Sequence, residues 1–284
     1  AFTFDAYDTV HDDGGESANF SVIRLKRDIM KSSILGFMAA NRLINGRNQG
    51  TLGFDSSHYF TKTLKFTGQL AMSYRGGDGQ DFAFFLRPSY DSSTSHFHLR
   101  YTYLGEKFGD YANAVGFIRD DNRHELDSAI EQILWFKDKN LERVAYRSNY
   151  NIYWGIDKTL RSWDVFQDVK FDFKNRMSLR ARHNQEFKLY EKKFRNHSSV
   201  FELGYNTRGW ESVKLSYEFG KNFDSDFNLL GGQIKLNITE DFSLEYGLTK
   251  LKISPDPEEK NTWIHSLRVN QYFTTDLYMT LFYQ

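Results

Sequence analysis

TLKFTGQLAMSYR, Thr63 to Arg75, decides the fold. Leu64, Phe66, Gly68, Leu70, Met72 and Tyr74 alternate with Lys65, Thr67, Gln69, Ala71, Ser73 and Arg75. Successive side chains of a strand point to opposite faces, so this stretch has one apolar face and one polar face. The same alternation recurs along most of the chain. Ser95 to Leu104 sets Phe97, Leu99, Tyr101 and Tyr103 against His96, His98, Arg100 and Thr102. Val213 to Phe219 sets Val213, Leu215, Tyr217 and Phe219 against Lys214, Ser216 and Glu218.

Composition restricts the architectures that can use so many one-sided strands. The 284 residues include 26 Phe and 17 Tyr, yet only 40% are hydrophobic and the mean hydropathy is −0.62. No run approaches the roughly 20 apolar residues of a spanning helix. An aromatic-rich chain of low average hydropathy suits a transmembrane barrel, because the residues lining its lumen dilute the mean. Lys plus Arg equals Asp plus Glu at 37 each, which argues against a nucleic-acid partner. With no cysteine there is neither a disulfide framework nor a thiolate metal site. Three prolines are few, as expected where backbone N–H groups must join a ladder.

Along the chain the alternating segments recur roughly every 17 residues, enough for a 9–11-residue crossing and its turn. The spacing predicts about sixteen strands, within a range of about 14 to 18. Asn45-Gly46 and Gln49-Gly50 read as punctuation of one turn, followed by a strand over Gly50–Phe60. Asp127–Lys139 fits either period and is read as strand because its neighbours alternate. The expected fold is therefore all-β: a transmembrane, antiparallel, up-and-down β-barrel forming one domain over residues 1–284. A soluble sandwich also alternates, but its strands are shorter and its turns richer in Gly and Pro. Aromatic residues near strand ends, among them Tyr59-Phe60, Tyr103, Trp154, Trp210 and Tyr272-Phe273, fit interfacial girdles.

Three stretches carry a family resemblance: NFSVIRLKRDIMKSSILGFMAANR (Asn19–Arg42), YLGEKFGDYANAVGFIRDDNRHE (Tyr103–Glu125) and YFTTDLYMTLFYQ (Tyr272–Gln284). They resemble an uncharacterised bacterial outer-membrane family, and AVGFIRDDNRHE (Ala114–Glu125) is the most specific piece. Full-length members of that family place a family-9-like carbohydrate-binding domain ahead of a barrel of unknown function. Its members continue beyond both ends of this chain, so the expectation is a barrel core of a longer protein or a shortened relative. The resemblance implies an outer-membrane location, and a link to surface carbohydrate through the domain that is missing here.

The chemistry-bearing residues are sparse in motif. His96 and His98 share one face and could both reach a metal, but no third ligand is evident. Asp12, Asp13, Asp224 and Asp226 could hold calcium at loops, without EF-hand spacing. No nucleophile-elbow sequence supports a membrane-embedded hydrolase. The expectation is a non-enzymatic barrel with no cofactor, acting as a channel or a membrane anchor among outer-membrane lipids. The competing reading is a structural barrel that holds a partner protein in an outer-membrane complex. The polar-face residues expected to line the lumen are Lys65, His96, His98, Arg100, Arg147, Arg180, Arg182, Lys214, Glu218, Lys235 and Glu245. The longest break, Gly105–Leu126, is expected to fold into or over the barrel mouth through Phe117, Arg119, Asp120, Asp121, Arg123, His124 and Glu125.

Overall fold

The computed structural model describes residues 2–13, 16–30, 32–137, 140–255 and 261–284. Among them lie seventeen strands and one short helix. The strands form an antiparallel sheet of up-and-down hairpins, as the alternating segments imply. The chain divides into two compact units, residues 1–130 with 150–163, and residues 131–149 with 164–284.

The first unit holds β1 (Phe2–Asp13), β2 (Glu16–Ile29), β3 (Ser33–Ile44), β4 (Arg47–Tyr59), β5 (Leu64–Arg75), β6 (Gly79–Asp91), β7 (Ser95–Leu104) and helix α1 (Phe108–Ala112). Three strands contribute residues to both units: β8 (Arg123–Trp135), β9 (Leu141–Gly155) and β10 (Leu160–Phe173). The second unit continues with β11 (Met177–Leu189), β12 (Lys193–Tyr205), β13 (Ser212–Asn222), β14 (Ser225–Asn237), β15 (Phe242–Ser254), β16 (Thr262–Tyr272) and β17 (Tyr278–Tyr283). Strand lengths run from 10 residues in β7 to 15 in β9, with β17 shorter at 6. The ambiguous Asp127 stretch is strand, inside β8.

Register carries the alternation across the sheet. In β4–β5–β6, Gly53 stands opposite Ala71 and Ala71 opposite Ala83. Leu70, one residue away and on the other face, stands opposite Phe54 and Phe84. In β11–β12, Arg180 faces Glu202 while Leu179 faces Leu203. A slip of one residue would send every charge to the apolar face, so the pattern specifies the pairing strongly.

Turn chemistry sets several of these registers. Asn45 and Gly46 both take positive φ (50° and 74°), the pair a two-residue type I′ hairpin requires. The reading of Gln49-Gly50 as part of that turn is corrected, since both lie inside β4. Gly50 is there for space: a Cβ would stand 2.2 Å from the Ala40 carbonyl oxygen of the paired strand. The acidic His11–Ser17 stretch lies partly outside the described residues.

Burial runs opposite to that of a soluble domain. Phe54, Leu70, Phe201 and Leu215 are each more than half exposed, and the apolar side chains of β17 are exposed along its length. By contrast Asp168 and Asp172 are buried at 4% exposure, and Ser33, Ser73 and Ser148 are fully buried. A soluble fold hides its large apolar rows and solvates its carboxylates.

Candidate functional site

The polar face gathers the charged groups into cross-strand networks. In the second unit, Asp168 of β10 accepts from Arg147 Nη2 of β9 and Arg180 Nη2 of β11, each at 2.7 Å. Asp172, four residues further along the same face of β10, pairs with Arg143 and with Lys170 (3.1 Å). Glu202 of β12 collects Arg180 (3.5 Å), Arg182 (3.2 Å) and Lys214 (3.7 Å). Lys235 of β14 pairs with Glu245 of β15 at 3.2 Å. Seven cations thus share four carboxylates. An ionised carboxylate is acceptor-only, so shared Arg and Lys donors are what make the burial of such a group tolerable.

A turn closes over part of this network. Between β12 and β13 the chain folds back, Asn206 taking φ 54°, and Thr207 Oγ1 accepts from Lys170 Nζ (3.0 Å) and meets Ser178 Oγ (3.1 Å). Gly204 makes the return possible, because a Cβ there would lie 2.3 Å from Thr207 Cγ2. Trp210 follows, with Lys235 Nζ 5.3 Å from its ring centroid, and Arg208 reaches back to Glu142 at 2.9 Å. The hollow beneath has a volume of about 280 Å³.

In the first unit a longer segment does the same. After Leu104 the chain forms α1 and returns, and Asn122 N–H bonds the Gly105 carbonyl at 3.0 Å. Phe108 and Ala112 are buried against Ala71 and Ala83, both on the polar face of β5 and β6. Tyr111 takes Arg75 over its ring (5.4 Å), and the carbonyls of Asp110 and Tyr111 accept from Gln49 Nε2 (3.0 and 3.2 Å). Asp121 accepts the Gly109 N–H at 2.7 Å, satisfying one of the donors a helix start leaves open. Between segment and sheet lies a cavity of about 330 Å³, lined largely by apolar side chains such as Phe85, Phe108 and Ile118.

The expected mouth residues therefore divide. Phe117 is 84% exposed and Arg119 is exposed, both on the folded-back segment. Asp120 pairs with Arg123 (3.4 Å) and Arg161 (3.7 Å). Arg123, His124 and Glu125 are corrected from loop to strand, since β8 begins at Arg123. Arg123 and Glu125 lie on the polar face, where Glu125 meets Arg100 (3.3 Å) and Asn151 (2.8 Å). His124 points the other way. Its ring bonds the Tyr101 hydroxyl (2.6 Å) and stacks on Trp154 with centroids 5.5 Å apart, within the aromatic rows.

Every strand residue expected on the polar face is placed there, including Lys65 of β5 and Glu218 of β13, whose register partners are Ser89 and Val200. His96 and His98 do not converge on a point. They form a line, Asp91 to His96, His96 Nε2 to His98 Nδ1 (2.9 Å), and His98 Nε2 to Asp127 Oδ2 (3.2 Å). Among the described residues no cluster of three His, Cys, Asp or Glu side chains could hold a metal. Asp224 is paired with Lys192 at 2.7 Å. Asp12 and Asp13 have side chains outside the described residues. Asp168 and Arg143 were missing from the sequence reading, although parity with Lys170 and Arg147 places each on the charged face.

Fold and site together define an all-β, up-and-down sheet with one charged face, one exposed apolar face, and chain segments folded onto the charged side. The fold is similar to that in the crystal structure of Pseudomonas aeruginosa OpdQ, with a TM-score of 0.50 at 8% identity, covering 99% of this chain and 97% of that one. No protein-family model and no curated protein matches the sequence.

Proposed function

We propose that this chain is a non-enzymatic, porin-like channel of the bacterial outer membrane. The sheet closes into a barrel, its apolar rows face lipid, and its charged face surrounds a lumen narrowed by the Gly105–Asn122 segment. One observation carries the reading: large apolar rows stay exposed while paired carboxylates are buried. A surrounding that is apolar outside and aqueous inside makes both arrangements favourable. The fold likeness to the outer-membrane porin OpdQ supports it. Among the described residues no helix is long and apolar enough to span, which is compatible with crossing by strands. Closure satisfies the edge N–H and C=O groups that hydrocarbon cannot. The family resemblance extends the proposal to solutes derived from surface carbohydrate.

The test is reconstitution into planar bilayers. Because the ends of the folded-back segment meet at Gly105 and Asn122, Glu106–Asp121 can be replaced by a two-residue turn without breaking the hairpin. Discrete conductance steps that grow on this excision are the expected result. Steps of unchanged size would remove the constriction, and silence from both proteins would remove the channel.

A further inference from the structure

We propose that the hollow under Trp210 is a binding site for the carboxylate of a small organic acid. The pocket is bounded by Lys170, Arg180, Lys214 and Lys235, with Thr207 and Trp210 on its rim side and Glu202 as the one carboxylate in its lining. Glu202 already serves three cations, and the pocket lining carries four cations to this one carboxylate, with Asp168, Asp172 and Glu245 pairing Arg180, Lys170 and Lys235 from outside it. That surplus is held in place by cross-strand pairs rather than left on mobile side chains, so an arriving anion meets donors already oriented. An arriving cation meets repulsion from the same groups.

Size and wall chemistry narrow the class. At about 280 Å³ the hollow is just under the range of roughly 300–1,000 Å³ typical of ligand pockets, which suits a small ligand. Lysine ammonium groups are compact point charges that receive any oxyanion. The indole of Trp210 adds an apolar wall, which gives an advantage to an anion with a carbon body over a bare inorganic one. A sugar acid or a similar short organic acid meets both requirements. The assignment as a transported solute rests on the channel reading, whereas the binding site does not.

Calorimetric titration of the full chain in detergent separates the two, because nothing there has to cross a membrane. Three probes are used: glucuronate, glucose and inorganic phosphate. Saturable glucuronate binding at least tenfold tighter than either of the others is expected. Lys235→Gln and Lys214→Gln together should weaken it tenfold or more, Trp210→Ala should erase the preference over phosphate, and Lys221→Gln on the opposite face of β13 should change nothing. Glucose binding as tightly as glucuronate, phosphate binding as tightly, or no saturation with glucuronate would each overturn the assignment. Glucuronate binding to a protein that shows no conductance would sink the channel and leave the site standing.

Discussion

Asp168 is the residue on which most of the second unit's charge network turns. It is 4% exposed and bridges guanidinium groups from the strands on either side. Replacing it with Asn leaves Arg147 and Arg180 facing each other across a buried amide that can accept but not neutralise. Breaking a buried pair this way costs about 3–5 kcal/mol, and the half-exposed Arg147 reduces that to about 2 kcal/mol. The urea midpoint in detergent should fall accordingly for Asp168→Asn, and recover in large part when Arg147→Gln and Arg180→Gln are added. A second carboxylate, Asp157, sits in the exposed turn between β9 and β10. The Thr159 hydroxyl (2.7 Å) and N–H (3.0 Å) both donate to it and hold its pKa below the ordinary value of 3.8. A depressed folded-state pKa means the contribution is present above the ordinary value and lost as pH falls through the lower, folded one. The stability difference between the native chain and Asp157→Ala should therefore be constant near neutrality and shrink in acid below the ordinary carboxylate value. A difference that stayed constant into strong acid would show that the hydrogen bonds from Thr159 favour the two charge states equally.

At the scale of elements, the two segments folded onto the polar face show what period-based reading can and cannot reach. Alternation located the strands because a half-exposed strand imposes a period of two on its residues, and β5, β7 and β13 display it without interruption. It also located the break after Leu104. It could not find where the break ends, because Arg123, His124 and Glu125 read as one charged run while the structure sends His124 to one face and its neighbours to the other. Nor could it find the return of the β12–β13 turn, whose cause is a close approach rather than a period: Thr207 folds back over Gly204, three residues earlier in β12, and fits only because Gly204 carries no side chain. Gly204→Val should push this turn off Lys170 and Ser178, and quenching of Trp210 by iodide should rise. The α1 segment is held by Phe108, Tyr111 and Ala112, so Phe108→Ala removes its main anchor, at a cost of about 3 kcal/mol for a well-packed Phe. Since α1 is not part of the strand ladder, that loss should appear as local release. Limited trypsin digestion should cut at the exposed Arg119 several-fold faster in this variant, with the midpoint of global unfolding little changed. Equal cutting rates would mean that Phe108 does not hold the segment down.

For the whole molecule the decisive property is which solvent each face meets, and the tryptophans report it. Trp263 stands opposite Lys250 on the apolar face, Trp154 lies among Tyr103 and His124 on that face, and Trp163 has the opposite parity to Asp168 on β10. Trp210 lies over the charged face beside Lys235, and Trp135 lies beside Arg143. Hydrophobic burial is worth roughly 25 cal/mol per Å², so exposed rows of Phe, Leu and Tyr across this many strands could not be left facing water. The proposed barrel answers this by giving the rows acyl chains for neighbours. Stacking two such sheets in water would answer it differently, by burying the rows between layers. The two arrangements separate in vesicles whose acyl chains carry bromine, a short-range quencher. Single-tryptophan variants retaining Trp154, Trp163 or Trp263 should lose much of their fluorescence there, while one retaining Trp210 should keep it. Equal protection of all four would mean that the apolar rows face protein, and the charged side of the sheet would then be its outer surface.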